Sequence, residues 1–92
     1  LNAIELKLAE LHPNDSHAVV AAPDKKKGEQ LVMFTTLATP DRKEIATGLK
    51  RLGLADLMIP KNIFSLKELP LLGSGKLDYV TMNRLAREKV PE

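Results

Sequence analysis

His17-Ala18-Val19-Val20-Ala21-Ala22-Pro23-Asp24-Lys25-Lys26-Lys27-Gly28-Glu29-Gln30-Leu31-Val32-Met33-Phe34-Thr35-Thr36-Leu37 is two apolar runs wrapped around a charged turn. The first run, residues 17–22, is short and almost unbroken, as a buried strand is. The second, residues 29–37, is rich in residues that fit a pleated, half-buried surface. Between them Pro23, Asp24 and Gly28 supply turn chemistry, so the two strands are predicted to pair antiparallel. The ordinary role of Lys25, Lys26 and Lys27 is a solvated tip that keeps the ribbon soluble. A phosphate or an acidic partner is the alternative.

Working outward, Asn2 is placed to cap a first helix, with Glu5 three residues on in a variant of the capping box. Leu1, Ile4, Leu8 and Leu11 fall on one face of it, and Pro13 stops it near His12. Asn14-Asp15-Ser16 is a turn. On the other side, Thr39-Pro40-Asp41 opens a second helix with proline near its first position. Ile45, Leu49 and Leu52 form its stripe, and Gly53 ends it in the left-handed conformation. Ala55 to Met58 makes a short turn, ended by Ile59-Pro60, and residues 62–66 are a third strand. Asp78 caps a last helix in which Val80, Met82, Leu85 and Ala86 supply apolar area. The order α-β-β-α-β-α predicts an α+β domain, a small three-stranded sheet covered by helices.

Ninety-two residues allow one domain and one modest core. At 43% hydrophobic and 28% charged, the chain has the composition of a folded domain and not of a disordered one. A net charge of +2 is too balanced to imply nucleic acid, and three aromatics, Phe34, Phe64 and Tyr79, make no base-stacking platform. With no cysteine there is no disulfide, thiolate metal site or thiol nucleophile, which suits the cytoplasm. No apolar run reaches the ~18 residues that cross a bilayer. The chain shows no signal peptide and opens on Leu1, not Met, which points to a fragment of something longer.

Leu69-Pro70-Leu71-Leu72-Gly73-Ser74-Gly75-Lys76-Leu77-Asp78 is where chemistry concentrates. Glycines on both sides of Ser74 let the backbone take positive φ and approach a ligand closely. Lys76 at such a tip is a movable point charge with three donors for a phosphate or carboxylate oxygen; solvated lysine is the ordinary alternative. A P-loop would need glycine where Pro70 stands and Ser or Thr where Leu77 stands. A dinucleotide fingerprint would need glycine in place of Asp78. The serine spacing also fails for a nucleophile elbow. His12 and His17 flank a turn without companions and are surface or strand-end groups, and no metal site is predicted. One lysine with no base beside it makes sense as a cation inserted into another domain's active site.

That arrangement resembles the small C-terminal domain of the adenylate-forming superfamily, which includes acyl-CoA and acyl-carrier-protein synthetases, adenylation domains and luciferases. The resemblance rests on Gly75-Lys76-Leu77-Asp78-Tyr79, on Leu57-Met58-Ile59-Pro60, on the strand pair with Pro23-Asp24 and Gly28-Glu29, and on the Leu69-Pro70 run. It spans the whole chain. Residues 66–76 and 28–36 are most similar to bacterial bifunctional 2-acylglycerophosphoethanolamine acyltransferase/acyl-[acyl-carrier-protein] synthetases. Tyr79 departs from the arginine usual there.

The resemblance implies a lid domain whose large N-terminal domain and hinge lie upstream of Leu1. The parent enzyme would activate a fatty acid with ATP and Mg, bound mainly by the N-terminal domain. It would then pass the acyl group to the phosphopantetheine thiol of an acyl carrier protein. Lys76 would be catalytic, and Gly73, Ser74, Gly75 and Lys76 would form the loop approaching ATP and the acyl-adenylate. The enzyme would work on the cytoplasmic side, held at the inner membrane by the rest of the polypeptide, and the 92-residue piece would turn over nothing by itself. Two alternatives stand beside this: the same domain of another adenylate former, such as an acyl-CoA ligase or an amino-acid adenylation domain, or a non-catalytic basic binding module.

Overall fold

The computed structural model describes residues 2–24, 26 and 28–89, with Asn2 described by its backbone alone. Leu1, the Asn2 side chain, Lys25 and Lys27 lie outside the described residues, and with them the expected Asn2 cap and most of the lysine turn. The elements are α1 (Asn2–Leu11), β1 (His17–Asp24), β2 (Gly28–Thr35), α2 (Arg42–Arg51), a 3₁₀ turn (Asp56–Met58), β3 (Asn62–Ser65) and α3 (Tyr79–Lys89). This is the α+β order expected from the sequence.

The sheet has three strands in the order β1-β2-β3. β1 and β2 are antiparallel, with His17 opposite Thr35 and Asp24 opposite Gly28. β1 therefore runs two residues beyond Ala22, through Pro23 and Asp24, before the chain turns. Pro23 is tolerated there because β1 is an edge strand, where a missing N–H costs no ladder bond. β2 and β3 are parallel, Val32 opposite Asn62, and α2 lies in the connection between them, as a parallel pair requires.

Alternation along the strands puts two apolar faces on opposite sides of the sheet. Ala18, Val20, Ala22, Val32 and Phe34 meet Met82 and Ala86 of α3, together with Leu69. Val19 and Met33 meet Ile4 and Leu8 of α1 and Ile45 and Leu49 of α2. Helix α2 begins one step later than the sequence implies. Asp41 is its N-cap, accepting from the N–H groups of Lys43 and Glu44, and Pro40 precedes the cap. It ends in a Schellman motif: Leu54 N donates to Leu49 O, Gly53 N donates to Lys50 O, and Gly53 sits at φ +97.

Candidate functional site

Two leucines hold the glycine loop from below. Leu69 is buried in the α3-side core, and Leu77, half-buried, packs against the same cluster. Between them the chain leaves the protein surface. Leu71 and Leu77 form an antiparallel bridge, Leu72 N donates to Lys76 O at 2.8 Å, and Gly75 N donates to Leu72 O at 2.8 Å. That is a three-residue hairpin loop, Gly73-Ser74-Gly75, of the turn-plus-bulge kind, which demands a left-handed residue at its third position. Gly75 fills it at φ +89. Gly73 has no positive φ, so the expectation that both glycines are needed for backbone reasons holds for Gly75 and not for Gly73.

Lys76 follows the left-handed residue directly. Its side chain is exposed, and among the described residues no carboxylate forms an ion pair with it. Gly73, Ser74 and Gly75 are exposed with it, so the structure brings the four expected site residues together at one tip. Leu71 and Leu72 flank them, 59% and 48% exposed. Two surface clefts, of about 370 and 320 Å³, lie at the α1–α2 junction and beside the β1–β2 hairpin; neither is lined by a loop residue.

Asp78 joins the loop to α3. Its N–H donates to Pro70 O at 2.9 Å, closing the base of the hairpin. Its carboxylate caps the helix, accepting from Thr81 N at 3.1 Å and Thr81 Oγ1 at 2.7 Å. The Thr81 side chain and backbone bonds hold this carboxyl below the usual aspartate range. Within α3, Met82 and Ala86 are buried and Leu85 is half-buried, as the stripe predicts, but Val80 is 82% exposed. It stands about 200° around the helix from Met82, on the side turned to solvent.

One contact was not legible in the sequence. The Tyr79 hydroxyl donates to Glu5 Oε1 at 2.6 Å and Oε2 at 2.8 Å, across 74 positions of sequence. Glu5 Oε2 also accepts from Val19 N at 2.8 Å, on the outer edge of β1. Glu5 thus serves β1 and α3. Burial, then the Glu5 bond and its negative charge, push the Tyr79 phenol up to about 12. His17 is buried at 7% exposure, its ring nitrogens bonded to Thr35 Oγ1 at 2.9 Å and His12 O at 3.0 Å. It is a strand-end histidine, as expected, but a core one. Among the described residues no group of three His, Cys, Asp or Glu could hold a metal. Among them, too, no helix is long and apolar enough to cross a membrane.

Residues 3–76 match the AMP-binding enzyme C-terminal domain, from α1 to the lysine of the loop. The chain belongs to that family. It is 36% identical over 78 residues to surfactin synthase subunit 2 of Bacillus subtilis, covering 85% of this chain and 2% of that protein. It is 35% identical over 78 residues to pseudomonine synthase PmsE of Pseudomonas entomophila, covering 82% and 13%. The amide bond synthetase McbA of Marinactinospora thermotolerans superposes with a TM-score of 0.76 at 29% identity, over 90% of this chain and 17% of that one. The chain therefore spans a small part of the length of these relatives.

Proposed function

We propose that this is the mobile lid of an ATP-dependent adenylate-forming ligase, and that Lys76 is the cation it carries to the reaction. The observation that supports this most directly is the build of the loop: a stem seated in the core, a tip in solvent, and at the tip an ammonium with no ion pair among the described residues.

In the proposed reaction a carboxylate oxygen of the substrate attacks the α-phosphorus of ATP. The new P–O bond forms as the bond to pyrophosphate breaks, leaving an acyl-adenylate. Lys76 Nζ would lie against the carboxylate and the α-phosphate oxygens, where its charge opposes the negative charge crowding there. A single preorganised contact of this kind contributes about 10²–10³ in rate. The lid then turns, withdrawing Lys76, and a thiol sulfur attacks the acyl carbonyl carbon and expels AMP. ATP and Mg would be held mainly by the large domain.

The finer reading is an acyl-[acyl-carrier-protein] synthetase fused to a 2-acylglycerophosphoethanolamine acyltransferase, with a fatty acid substrate, a carrier-protein acceptor and attachment to the inner membrane through the rest of the polypeptide. It is supported by the likeness of residues 28–36 and 66–76 to those enzymes. The match to surfactin and pseudomonine synthases favours a second reading, in which the same lid serves a ligase for another carboxylic acid.

Lys76→Ala in the complete enzyme should lower carboxylate-dependent ATP–pyrophosphate exchange by about 10² or more, while thioester formation from supplied acyl-adenylate persists. Exchange at the parental rate would overturn the role of Lys76. Pyrophosphate exchange with fatty acids, tested against amino acids and aryl acids, separates the two readings: exchange with none of the fatty acids removes the finer one.

A further inference from the structure

Lys76 has to arrive at a reacting phosphorus in one position, yet it stands on a loop with little holding it. The bonds within the hairpin, Leu72 to Lys76, Gly75 to Leu72 and Asp78 to Pro70, are single neutral bonds in a largely exposed segment where water competes for every partner. Leu69 and Leu77 seat the stem against the α3-side core, from one face of the sheet. A restraint from a second direction is needed, and Tyr79 supplies one.

Tyr79 is three residues beyond Lys76 and opens α3. Its hydroxyl reaches past the β1 edge to Glu5 on α1, which belongs to the opposite face of the sheet. A phenol donating to a carboxylate makes a charge-assisted bond, about twice as strong as a neutral one, and keeps part of that advantage at the 37% exposure of Tyr79, where water also competes. The acceptor is itself fixed, because Glu5 Oε2 also takes the outward N–H of Val19. One carboxylate thereby joins the start of α3, helix α1 and the edge strand. No other described tyrosine or tryptophan exists to share the task; Tyr79 is the single tyrosine of the chain and tryptophan is absent.

We propose that Tyr79 is a positioning residue for Lys76: its bond to Glu5 locks the base of the glycine loop to α1 and β1, so that the lid delivers the ammonium group as part of a rigid body. This deepens the adenylation reading above and rests on it. A misplacement of about 1 Å at a reacting centre costs up to about 10²-fold in rate, so a modest loosening at the loop base is visible in kinetics.

The test uses four forms of the complete enzyme: parental, Tyr79→Phe, Lys76→Ala and the double variant. Tyr79→Phe keeps the ring and removes the hydroxyl. It should lower kcat for pyrophosphate exchange about tenfold, with KM for ATP nearly unchanged and thioester formation from supplied acyl-adenylate intact. In the Lys76→Ala background the same change should cost nothing more, since there is no ammonium left to position. Hydrogen exchange of peptides spanning residues 70–79 should quicken in Tyr79→Phe while β2 peptides keep their protection. Equal losses with and without Lys76, or parallel losses in both half-reactions, would overturn the proposal as a mere effect of stability. Lys76→Ala crippled beside a fully active Tyr79→Phe removes this inference and leaves the lid reading standing. Lys76→Ala at the parental rate removes both.

Discussion

Gly73 and Gly75 look alike in sequence and should behave in opposite ways when replaced by alanine. Neither has an atom within 4 Å of the position a Cβ would take, so packing cancels from the comparison. What differs is the backbone. Gly75 sits at φ +89, in the left-handed region, where an L-residue pays about 1–2 kcal/mol. Alanine also stiffens the unfolded chain, which returns about 0.4–1 kcal/mol at either site. The net for Gly75→Ala is a loss of about 1 kcal/mol, and for Gly73→Ala a change near zero or a small gain. For a domain of this size, that loss lowers the melting temperature by about 4–8 °C. Urea denaturation of the 92-residue domain followed by circular dichroism, with a thermal scan beside it, measures both variants against the parent. The slope of the urea transition should stay constant, because neither change alters the surface exposed on unfolding. Indistinguishable midpoints for the two variants would refute the argument that the turn requires its left-handed residue at position 75.

Two further predictions concern α3. As the single tyrosine, Tyr79 can be titrated by phenolate absorbance; the native domain should ionise near 12 and the urea-unfolded chain near the ordinary value of about 10. A pKa raised by folding means that this group's contribution is fully present below pH ~10 and is lost as pH rises towards 12, so alkaline stability should decline over that window and Tyr79→Phe should flatten the decline. A native titration near 10 would show that neither the burial of the phenol nor its Glu5 bond holds in solution. Met82→Ala removes a fully buried side chain and should cost about 2–5 kcal/mol, whereas Val80→Ala, two residues away on the exposed side, should stay within about 0.5 kcal/mol. Comparable losses at both positions, by urea denaturation, would contradict the facing of α3 described above.

Much of this domain is legible along the chain because its signals are local. Gly53 ends α2 where a left-handed residue must stand, and Asp78 caps α3 through its own Thr81, three residues away. Two apolar runs around a charged turn give β1, β2 and their antiparallel pairing without reference to anything distant, whereas their faces come from the helices that cover them. The errors are local too, but arise where distant groups intervene. Pro23 extends β1 because an edge position makes its missing N–H harmless, and the strand's place in the sheet is not written in its own residues. Val80 is apolar yet meets solvent, because it stands about 200° around α3 from Met82, off the face that the sheet covers.

The candidate site divides along the same line. That a lysine stands on a glycine-framed tip follows from ten consecutive residues, because hairpin geometry is a property of a short stretch of backbone. Glu5 carries no mark of its partnership with Tyr79, and nothing near either residue announces it. Their meeting required α1 and α3 to pack on opposite faces of one sheet and both to overhang the same edge strand, an outcome of burying two apolar faces at once. Short-range steric preference therefore writes itself into the order of residues. Long-range polar contacts depend on where the hydrophobic effect has already put the elements, and that placement is a property of the folded whole.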